Sequence, residues 1–249
     1  MEREHVSRQF DVELDAIRAK LLMMGGKVEL MIADSIRSLV ERDTGLADQV
    51  IVSDHEINRL EMAIDRDCLE LLALRQPAAR DLRFVTLALK IVTDLERIGD
   101  QCANICKRVK ELNLEPPLKL MIDLPCMAQA ASTMVMEALD AFVRGDEELA
   151  RKVCGDDQAV DHLSDLIQRE MLGAMMGDPS IIGRAMKINL VAKYLERIAD
   201  HATNLAEMVI FMVNGKDIRH TAFGAAPPSG NWDSHDEGSA KFPLGKENG

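Results

Sequence analysis

The sequence has few aromatic residues, and this scarcity argues against a β-rich fold. Only 3% of the 249 residues are Phe, Trp or Tyr, with one Trp and one Tyr, whereas methionine occurs 15 times. Because sheets are enriched in aromatic and β-branched side chains, this composition favours helices. The hydrophobic fraction of 47% is large enough to form a core, which excludes a globally disordered chain.

The chain also lacks the excess of positive charge that nucleic-acid binding requires. It carries 30 Lys and Arg residues against 42 Asp and Glu residues, which gives a net charge of −12. Nucleic-acid-binding domains present a basic surface to the phosphate backbone. We therefore expect no nucleic-acid partner.

Cysteine pairs, long apolar runs and an N-terminal signal are absent as well. The five cysteines include no CxxC pair, and an odd set of separated thiols suits a reducing compartment. No run approaches the roughly 18 apolar residues of a membrane-spanning helix. The N-terminal residues carry charges where a signal peptide is apolar. From these absences we expect a cytoplasmic protein.

Apolar residues recur at steps of three and four along most of the chain, which is the pattern of amphipathic helices. Turn and proline sequences interrupt the pattern and predict where helices end. The interruptions are Asp43–Gly45, Gln76–Pro77, Asn113–Leu118 (NLEPPL), Asp178–Pro179 and Gly215. Six helices are predicted, of which the last three cover about residues 119–144, 146–176 and 180–214.

The second half of the chain repeats the first. The segment 95–105 (LERIGDQCANI) recurs as 195–205 (LERIADHATNL). Two copies of one three-helix unit predict an all-α fold of two repeated three-helix bundles. We assign the first bundle to residues 1–113 and the second bundle to residues 119–217.

Residues 221–249 lack any apolar period and are rich in Gly, Pro and Ser. Such a composition buries too little apolar surface to order the chain. We predict a disordered tail, and we expect truncation after His220 to leave the thermal stability almost unchanged.

The repeated segment carries acidic side chains at helical spacing. In the first copy Glu96, Asp100 and Asn104 are successive i, i+4 neighbours, and the second copy repeats this spacing from Glu196 onward. Two carboxylates at this spacing repel each other, which costs roughly a few tenths of a kcal/mol on an isolated helix. Either a bound cation or neighbouring basic side chains must relieve the repulsion.

Two interpretations of these carboxylates stay open. In the first, basic side chains pair with them on a solvated helix face. Those basic residues are Arg97, Arg197, Lys90 and Lys193. In the second, acidic residues of the second helix of each unit face them, and the oxygen-only sites suit Mg²⁺, Mn²⁺ or an iron ion better than zinc. The candidate metal ligands are then Asp54, Glu96, Asp100, Asp157, Asp161, Glu196 and Asp200.

The sequence offers no catalytic constellation. It contains no G-x-x-x-x-G-K-[ST] loop, no G-x-S-x-G elbow and no dinucleotide-binding fingerprint. Its Glu-x-x-His motif, Glu2–His5, occurs once, whereas ferritin-like di-iron sites need two. We therefore expect no catalytic residue and no required cofactor. A carboxylate-bridged metal-binding protein or metalloenzyme is the alternative, and a purely structural scaffold is another.

Two local features have ordinary structural interpretations. His201 lies off the acidic stripe, and we interpret it as a surface histidine. Gly25 and Gly26 lie inside the first predicted helix, where they favour close packing of helices over phosphate binding.

On these residues the chain resembles the PhoU family, regulators of bacterial phosphate uptake and signalling. The resemblance covers about residues 5–220 and includes both repeats. It rests on QFDVELDAIRAKLLMMGG near the N-terminus, RQPAARDLRFVTLALKI, both LERI(G/A)D segments and the closing NGKDIRH.

The resemblance implies two three-helix bundles packed side by side in a cytoplasmic, usually homodimeric protein without catalytic activity. It implies a negative regulator of phosphate uptake and of the phosphate-starvation response. Such a regulator acts as an adaptor between the ATPase subunit of the phosphate ABC transporter and the sensor histidine kinase PhoR. It meets the membrane only through those partners.

The resemblance also implies E(D)xxxD metal motifs, which fall on Glu96/Asp100, Glu196/Asp200 and Asp157/Asp161. In the first repeat Asn58 stands where the second carboxylate after Asp54 is expected. From this departure we expect metal to act more strongly on the second repeat. Ala199 stands where the first repeat has Gly99, which is a minor change.

Overall fold

The computed structural model describes residues 2–75, 77, 79–118 and 123–215, and these residues form six α-helices and one short 3₁₀ turn. The helices are α1 (Glu2–Val40), α2 (Thr44–Arg75), α3 (Ala79–Asn113), α4 (Leu124–Arg144), α5 (Glu147–Gly177) and α6 (Ile182–Asn214). No residue in these ranges lies in a β-strand. The prediction of an all-α fold is confirmed. The predicted disordered tail, residues 221–249, lies outside the described residues.

Helices begin and end at residues whose chemistry caps them. Asp146 Oδ1 accepts a hydrogen bond from the Leu149 amide at 3.0 Å at the start of α5. Gly145 and Gly215, both with φ of 68°, end α4 and α6 in the left-handed conformation that glycine adopts readily.

Two predicted helix starts are too early. The helix α4 begins at Leu124, and not near residue 119, because Asp123 Oδ1 caps it by accepting from the Cys126 amide at 3.3 Å. Residues 119–122 are not among the described residues. The helix α6 begins at Ile182, and not at residue 180, because Pro179–Ile181 form the 3₁₀ turn.

The helices pack as two three-helix units. In the first, α1 contacts α2 and α3, and α2 contacts α3; in the second, α4 contacts α5 and α6, and α5 contacts α6. The two units meet through α3 against α6 and through α1 against α4. The predicted pair of bundles packed side by side is therefore confirmed. All six helices belong to one compact unit.

Three contacts mark the seam between the bundles. The ring of Phe84 on α3 stacks on that of Phe142 on α4, with centroids 4.7 Å apart. A Cβ atom on Gly25 of α1 would overlap the side chain of Leu139 on α4, whereas a Cβ atom on Gly26 would meet nothing within 4 Å. The interpretation that glycine allows close helix packing is confirmed for Gly25 alone. The third contact joins Asp94 and His201 and is described below.

None of the helices in the described part of the chain has both the length and the apolar character that crossing a membrane requires.

Candidate functional site

The acidic residues of the first repeat lie in the groove between α2 and α3. Gly99 lets the two helices approach, because a Cβ atom there would stand only 3.3 Å from Oδ1 of Asp54. Asp54 lies close enough to Asp100 for the two charges to interact. The structure thus places an acidic residue of α2 next to one of α3, as the helical spacing of the two stripes predicts. The alanine at the matching position of the second repeat, Ala199, is buried.

Burial and mutual repulsion raise pKa values in this groove. The pKa of Asp54 is raised mainly by burial and then by the charge of Asp100. The pKa of Glu96 is raised by burial, by Asp100 and by Glu61 on α2. A raised pKa means that the folded protein holds these carboxylates charged at a cost.

Two acidic residues of this groove were missed by the sequence argument. The pKa of Glu61 is raised by burial and then by the charge of Asp65, with a smaller contribution from Asp100. Burial also raises the pKa of Asp65. Residues 61 and 65 continue the helical stripe of Asp54 and Asn58, so the i, i+4 spacing was a usable signal. Comparison of the two repeats did not reveal these residues, because the positions that match Glu61 and Asp65 in the second copy are the uncharged Ser164 and Gln168.

We name the acidic residues of this groove the first carboxylate cluster. Its members are Asp54, Glu61, Asp65, Glu96 and Asp100. Asn58 stands beside Asp54 where a further carboxylate was expected, and Glu61, one turn later, supplies that charge instead.

The second carboxylate cluster lies between α5 and α6 and consists of Asp157, Asp161, Glu196 and Asp200. The pKa of Asp157 is raised by burial, by Asp161 and by Asp200. The pKa of Asp200 is raised by burial and then by Glu196. All four ligands predicted in this repeat are therefore brought together. The neighbouring carboxylates oppose the ionisation of Asp157 and Asp200.

The two clusters differ in the polar groups that contact their glutamates. Ser164 Oγ donates a hydrogen bond to Glu196 Oε2 at 3.0 Å, and Lys193 Nζ pairs with the other oxygen of the same carboxylate. Gln168 in turn donates to Ser164 Oγ at 3.2 Å. In the first cluster the place of Ser164 is taken by Glu61, so Glu96 faces a second carboxylate rather than a donor.

Basic side chains relieve the repulsion only in part. Arg97 lies 3.7 Å from Glu96 and 4.0 Å from Asp100, but 58% of its side chain is exposed, so solvent screens the interaction. Within the described residues, Arg197 and Lys90 form no ion pair. Of the four basic residues considered from the sequence, Arg97 and Lys193 are therefore the two that pair with the acidic stripes.

The donor chemistry of the first cluster fits a hard cation. Oδ1 of Asp54 and Oδ1 of Asn58 are buried without a hydrogen-bond partner in the described structure. Such buried acceptors are unfavourable unless something satisfies them, and oxygen-only ligand sets suit Mg²⁺, Mn²⁺ or Ca²⁺. As the described side chains stand, however, no three His, Cys, Asp or Glu residues are arranged around a common metal position. A closed coordination sphere is thus not preformed.

His201 does not behave as a free surface residue. Its Nδ1 lies 2.8 Å from Oδ1 of Asp94, and the two side chains are 22% and 18% exposed. The pair joins α6 to α3, so the histidine belongs to the seam between the bundles. The interpretation of His201 as a surface residue holds only in part, because its side chain keeps 22% exposure but is paired with Asp94 across the seam.

Comparison with known proteins gives one consistent result. Residues 21–109 and 124–209 each match the family model described as PhoU domain. A curated relative from Pseudomonas aeruginosa, named phosphate-specific transport system accessory protein PhoU homolog, is 43% identical over 218 residues, which are 87% of this chain and 90% of the relative. The Escherichia coli (strain K12) protein, named phosphate-specific transport system accessory protein PhoU, is 36% identical over 217 residues, with coverage of 87% and 90%.

Solved structures share the arrangement of helices. The crystal structure of PhoU from Pseudomonas aeruginosa has a TM-score of 0.79 at 42% identity and covers 83% of this chain and 100% of its own. That of the phosphate transport system regulatory protein PhoU from Streptococcus pneumoniae has a TM-score of 0.78 at 29% identity, with coverage of 84% and 98%.

Proposed function

The chain belongs to the PhoU family, and from this premise we propose that it is an accessory protein of phosphate-specific transport. It restrains phosphate uptake and the phosphate-starvation response when phosphate is plentiful. One observation carries the proposal: both three-helix units match the family, and relatives named as accessory proteins of this transport system align over 87% of the chain.

The protein acts by binding and not by catalysis. Its long helices present extended faces of the kind that partner helices or domains contact. The partners are the ATPase subunit of the phosphate ABC transporter and the sensor histidine kinase PhoR, and a cytoplasmic homodimer relays phosphate sufficiency from the first to the second. The names of the relatives support an association with the phosphate transport system, and the choice of the ATPase subunit and of the kinase rests on the family resemblance.

A deletion strain tests the regulatory role. In phosphate-rich medium, we expect a phosphate-responsive reporter gene to be active in the deletion strain and silent in the parent. A plasmid copy of the chain should restore silence, and a plasmid copy truncated after His220 should do the same. Normal repression in the deletion strain would contradict the proposal.

Affinity purification tests the partners. The tagged full-length protein should retain the transporter ATPase subunit and the cytoplasmic part of the kinase, each added separately in purified form. A helical protein of similar charge and size serves as the control bait. If neither partner is retained above that control, the adaptor mechanism fails, while the regulatory role is still decided by the deletion strain.

A second role is divalent-metal binding at the two carboxylate clusters. It is supported by the buried, unpartnered oxygens of Asp54 and Asn58 and by the raised pKa values of Asp54, Glu96, Asp157 and Asp200. A bound cation supplies positive charge there, and the carboxylates of two neighbouring helices hold it. Metal analysis together with an oxidase assay separates simple binding from the metalloenzyme alternative.

Thermal melts with and without Mg²⁺ or Mn²⁺ test metal binding. A ligand at a hundredfold excess over its Kd stabilises the fold by about 2.7 kcal/mol. The double variant Asp100→Asn, Asp200→Asn keeps the side-chain shape but removes one charge from each cluster. It should lose the stabilisation by metal and be no less stable than the parent without metal. Asp165→Asn, on the exposed face of α5, is the matched control. An equal lack of response in all three proteins would contradict the metal role.

A further inference from the structure

The linker between the bundles, residues 114–118, is held by basic side chains from both sides. From the turn after α1, Arg42 Nη2 donates to the carbonyl oxygens of Leu112 at 3.1 Å, Asn113 at 3.0 Å and Glu115 at 2.6 Å. From α6, Arg184 Nη1 donates to the Pro116 carbonyl at 2.9 Å. The same helix supplies Lys187, whose Nζ lies 2.8 Å from the Glu115 carboxylate.

A cavity of about 360 Å³ lies against this linker, and we name it the linker cavity. Most of its walls are apolar and come from four helices and the linker. They include Leu39 (α1), Leu112 (α3), Leu124 (α4), Ile188 (α6) and Pro117. Its volume falls within the roughly 300–1,000 Å³ of small-molecule pockets.

The described part of the linker cavity is lined by charges of one sign. Among its described lining residues, Arg42 and Arg184 are the charged ones, and Nε of Arg184 lies 3.8 Å from the Glu115 carboxylate at the edge of the linker. A neighbouring cavity of the same volume lies between α1 and α4, and the charged side chains in its described lining are Glu29, Glu41 and Arg37. An anion is therefore favoured in the linker cavity and opposed in its neighbour, although both offer similar space.

Arg42 is held in a backbone conformation that a non-glycine residue adopts at a cost. Its φ is 57°, at the position after a helix where glycine is usual. The hydrogen bonds that it makes within the described structure all leave from Nη2, and a guanidinium has five N–H donors. Donors on Nε and Nη1 therefore stay available beside the apolar walls.

We propose that the linker cavity binds a small apolar molecule carrying one carboxylate or sulfonate group. The anionic group lies on Arg42 and Arg184, since a guanidinium binds such groups through parallel hydrogen bonds. The apolar body lies against Leu112, Leu124 and Ile188. Because these walls come from both bundles, the ligand ties the bundles together at the linker. The site is separate from both carboxylate clusters, and the proposal does not rest on the transport role.

Titration with 8-anilinonaphthalene-1-sulfonate, an aromatic sulfonate whose fluorescence rises in apolar surroundings, tests the site in the full-length protein. We expect saturable binding at one site per chain. Octanoate should displace the probe at a concentration at least fivefold lower than octanol, which has the same chain length without the charge.

Three variants locate the binding. Arg42→Gly removes the guanidinium at a position whose backbone suits glycine, and it should weaken probe binding at least fivefold. Ile188→Phe fills the cavity and should do the same. Met186→Phe, on the exposed face of the same helix, should leave binding unchanged.

Several results of these titrations would overturn the proposal. Unchanged or stronger probe binding in Arg42→Gly would overturn the proposal, as would equal displacement by octanoate and octanol. If circular dichroism shows that Ile188→Phe is unfolded, the arginine variant and the competition decide. Equal loss in Met186→Phe would place the probe on the outer face of α6 and would also overturn the proposal.

Discussion

Nδ1 of His201 lies 2.8 Å from Oδ1 of Asp94, and this pair joins the last helix of the second bundle to the last helix of the first. Asp94 is one half-turn before Glu96, and His201 directly follows Asp200. The pair therefore lies along the α3–α6 seam, and its histidine is beside Asp200 of the second carboxylate cluster. A shift of either helix along this seam would break the contact.

A double-mutant cycle measures the strength of this contact. We expect Asp94→Asn and His201→Gln to couple by about 1 kcal/mol in free energy of unfolding. The reason is that a largely buried hydrogen bond to a charged group stabilises a fold more than one between neutral groups. Urea denaturation of the parent, both single variants and the double variant gives the value. The exposed pair Lys27–Glu56 is the control and should couple more weakly. Additive effects at positions 94 and 201 would contradict the prediction.

Neighbouring glycines in α1 should respond oppositely to alanine. Gly25→Ala places a methyl group onto Leu139, a fully buried side chain, and should destabilise the fold by about 1–3 kcal/mol. Gly26→Ala meets nothing within 4 Å and should stabilise the helix by about 0.5–1 kcal/mol. Thermal or urea denaturation of both variants tests the pair. The same sign for both would show that α1 does not approach α4 at Gly25.

The carboxylate clusters should give the metal-free protein an unusual pH dependence. Burial raises the pKa values of Asp54, Glu96 and Asp157 in the folded state. A group whose pKa is raised on folding destabilises the fold when it is charged, and this penalty disappears as the pH falls through the folded pKa towards the unfolded value of about 4. The melting temperature in EDTA should therefore rise as the pH falls through these raised pKa values towards about 4.

Below that range the sign reverses. The hydrogen bond from Arg75 lowers the pKa of Glu13, and the hydrogen bond from Ser180 lowers the pKa of Asp178. Stability from a lowered pKa is present above the unfolded value and is lost as the pH falls through the folded one. Stability should thus fall below about pH 4.

A double variant tests the origin of the rise in melting temperature on acidification. With Asp157→Asn and Asp200→Asn, this rise should be smaller than in the parent. A steady decline from neutral pH in the parent would contradict this prediction.

The two clusters should contribute comparably to metal binding. The sequence predicts weaker metal binding in the first repeat, because Asn58 replaces a carboxylate there. In the structure, however, Glu61 adds a carboxylate beside Glu96. We expect Glu61→Gln in the first cluster and Asp161→Asn in the second to reduce the metal-induced rise in melting temperature by similar amounts. Calorimetric titration with Mn²⁺ checks the same point through stoichiometry. A response confined to Asp161→Asn would restore the original ranking.

Much of the architecture was predictable from the sequence because it depends on neighbours along the chain. A period of three and four apolar residues predicts a helix, and Pro77, Asp178–Pro179 and Gly215 predict where helices stop. The two LERI(G/A)D segments predict the repeat, and the same pattern places Glu96 with Asp100 and Glu196 with Asp200 on single helix faces. Each of these conclusions holds within one helix.

Contacts between helices were decided only by the tertiary structure. Glu61 facing Glu96, His201 bonded to Asp94, and Gly25 against Leu139 each join residues on different helices. Which faces meet depends on how each helix is rotated about its axis and shifted along it, and both are set by the packing of two complete surfaces. Sequence spacing therefore determined which carboxylates share a helix face, and tertiary packing determined which carboxylates share a site.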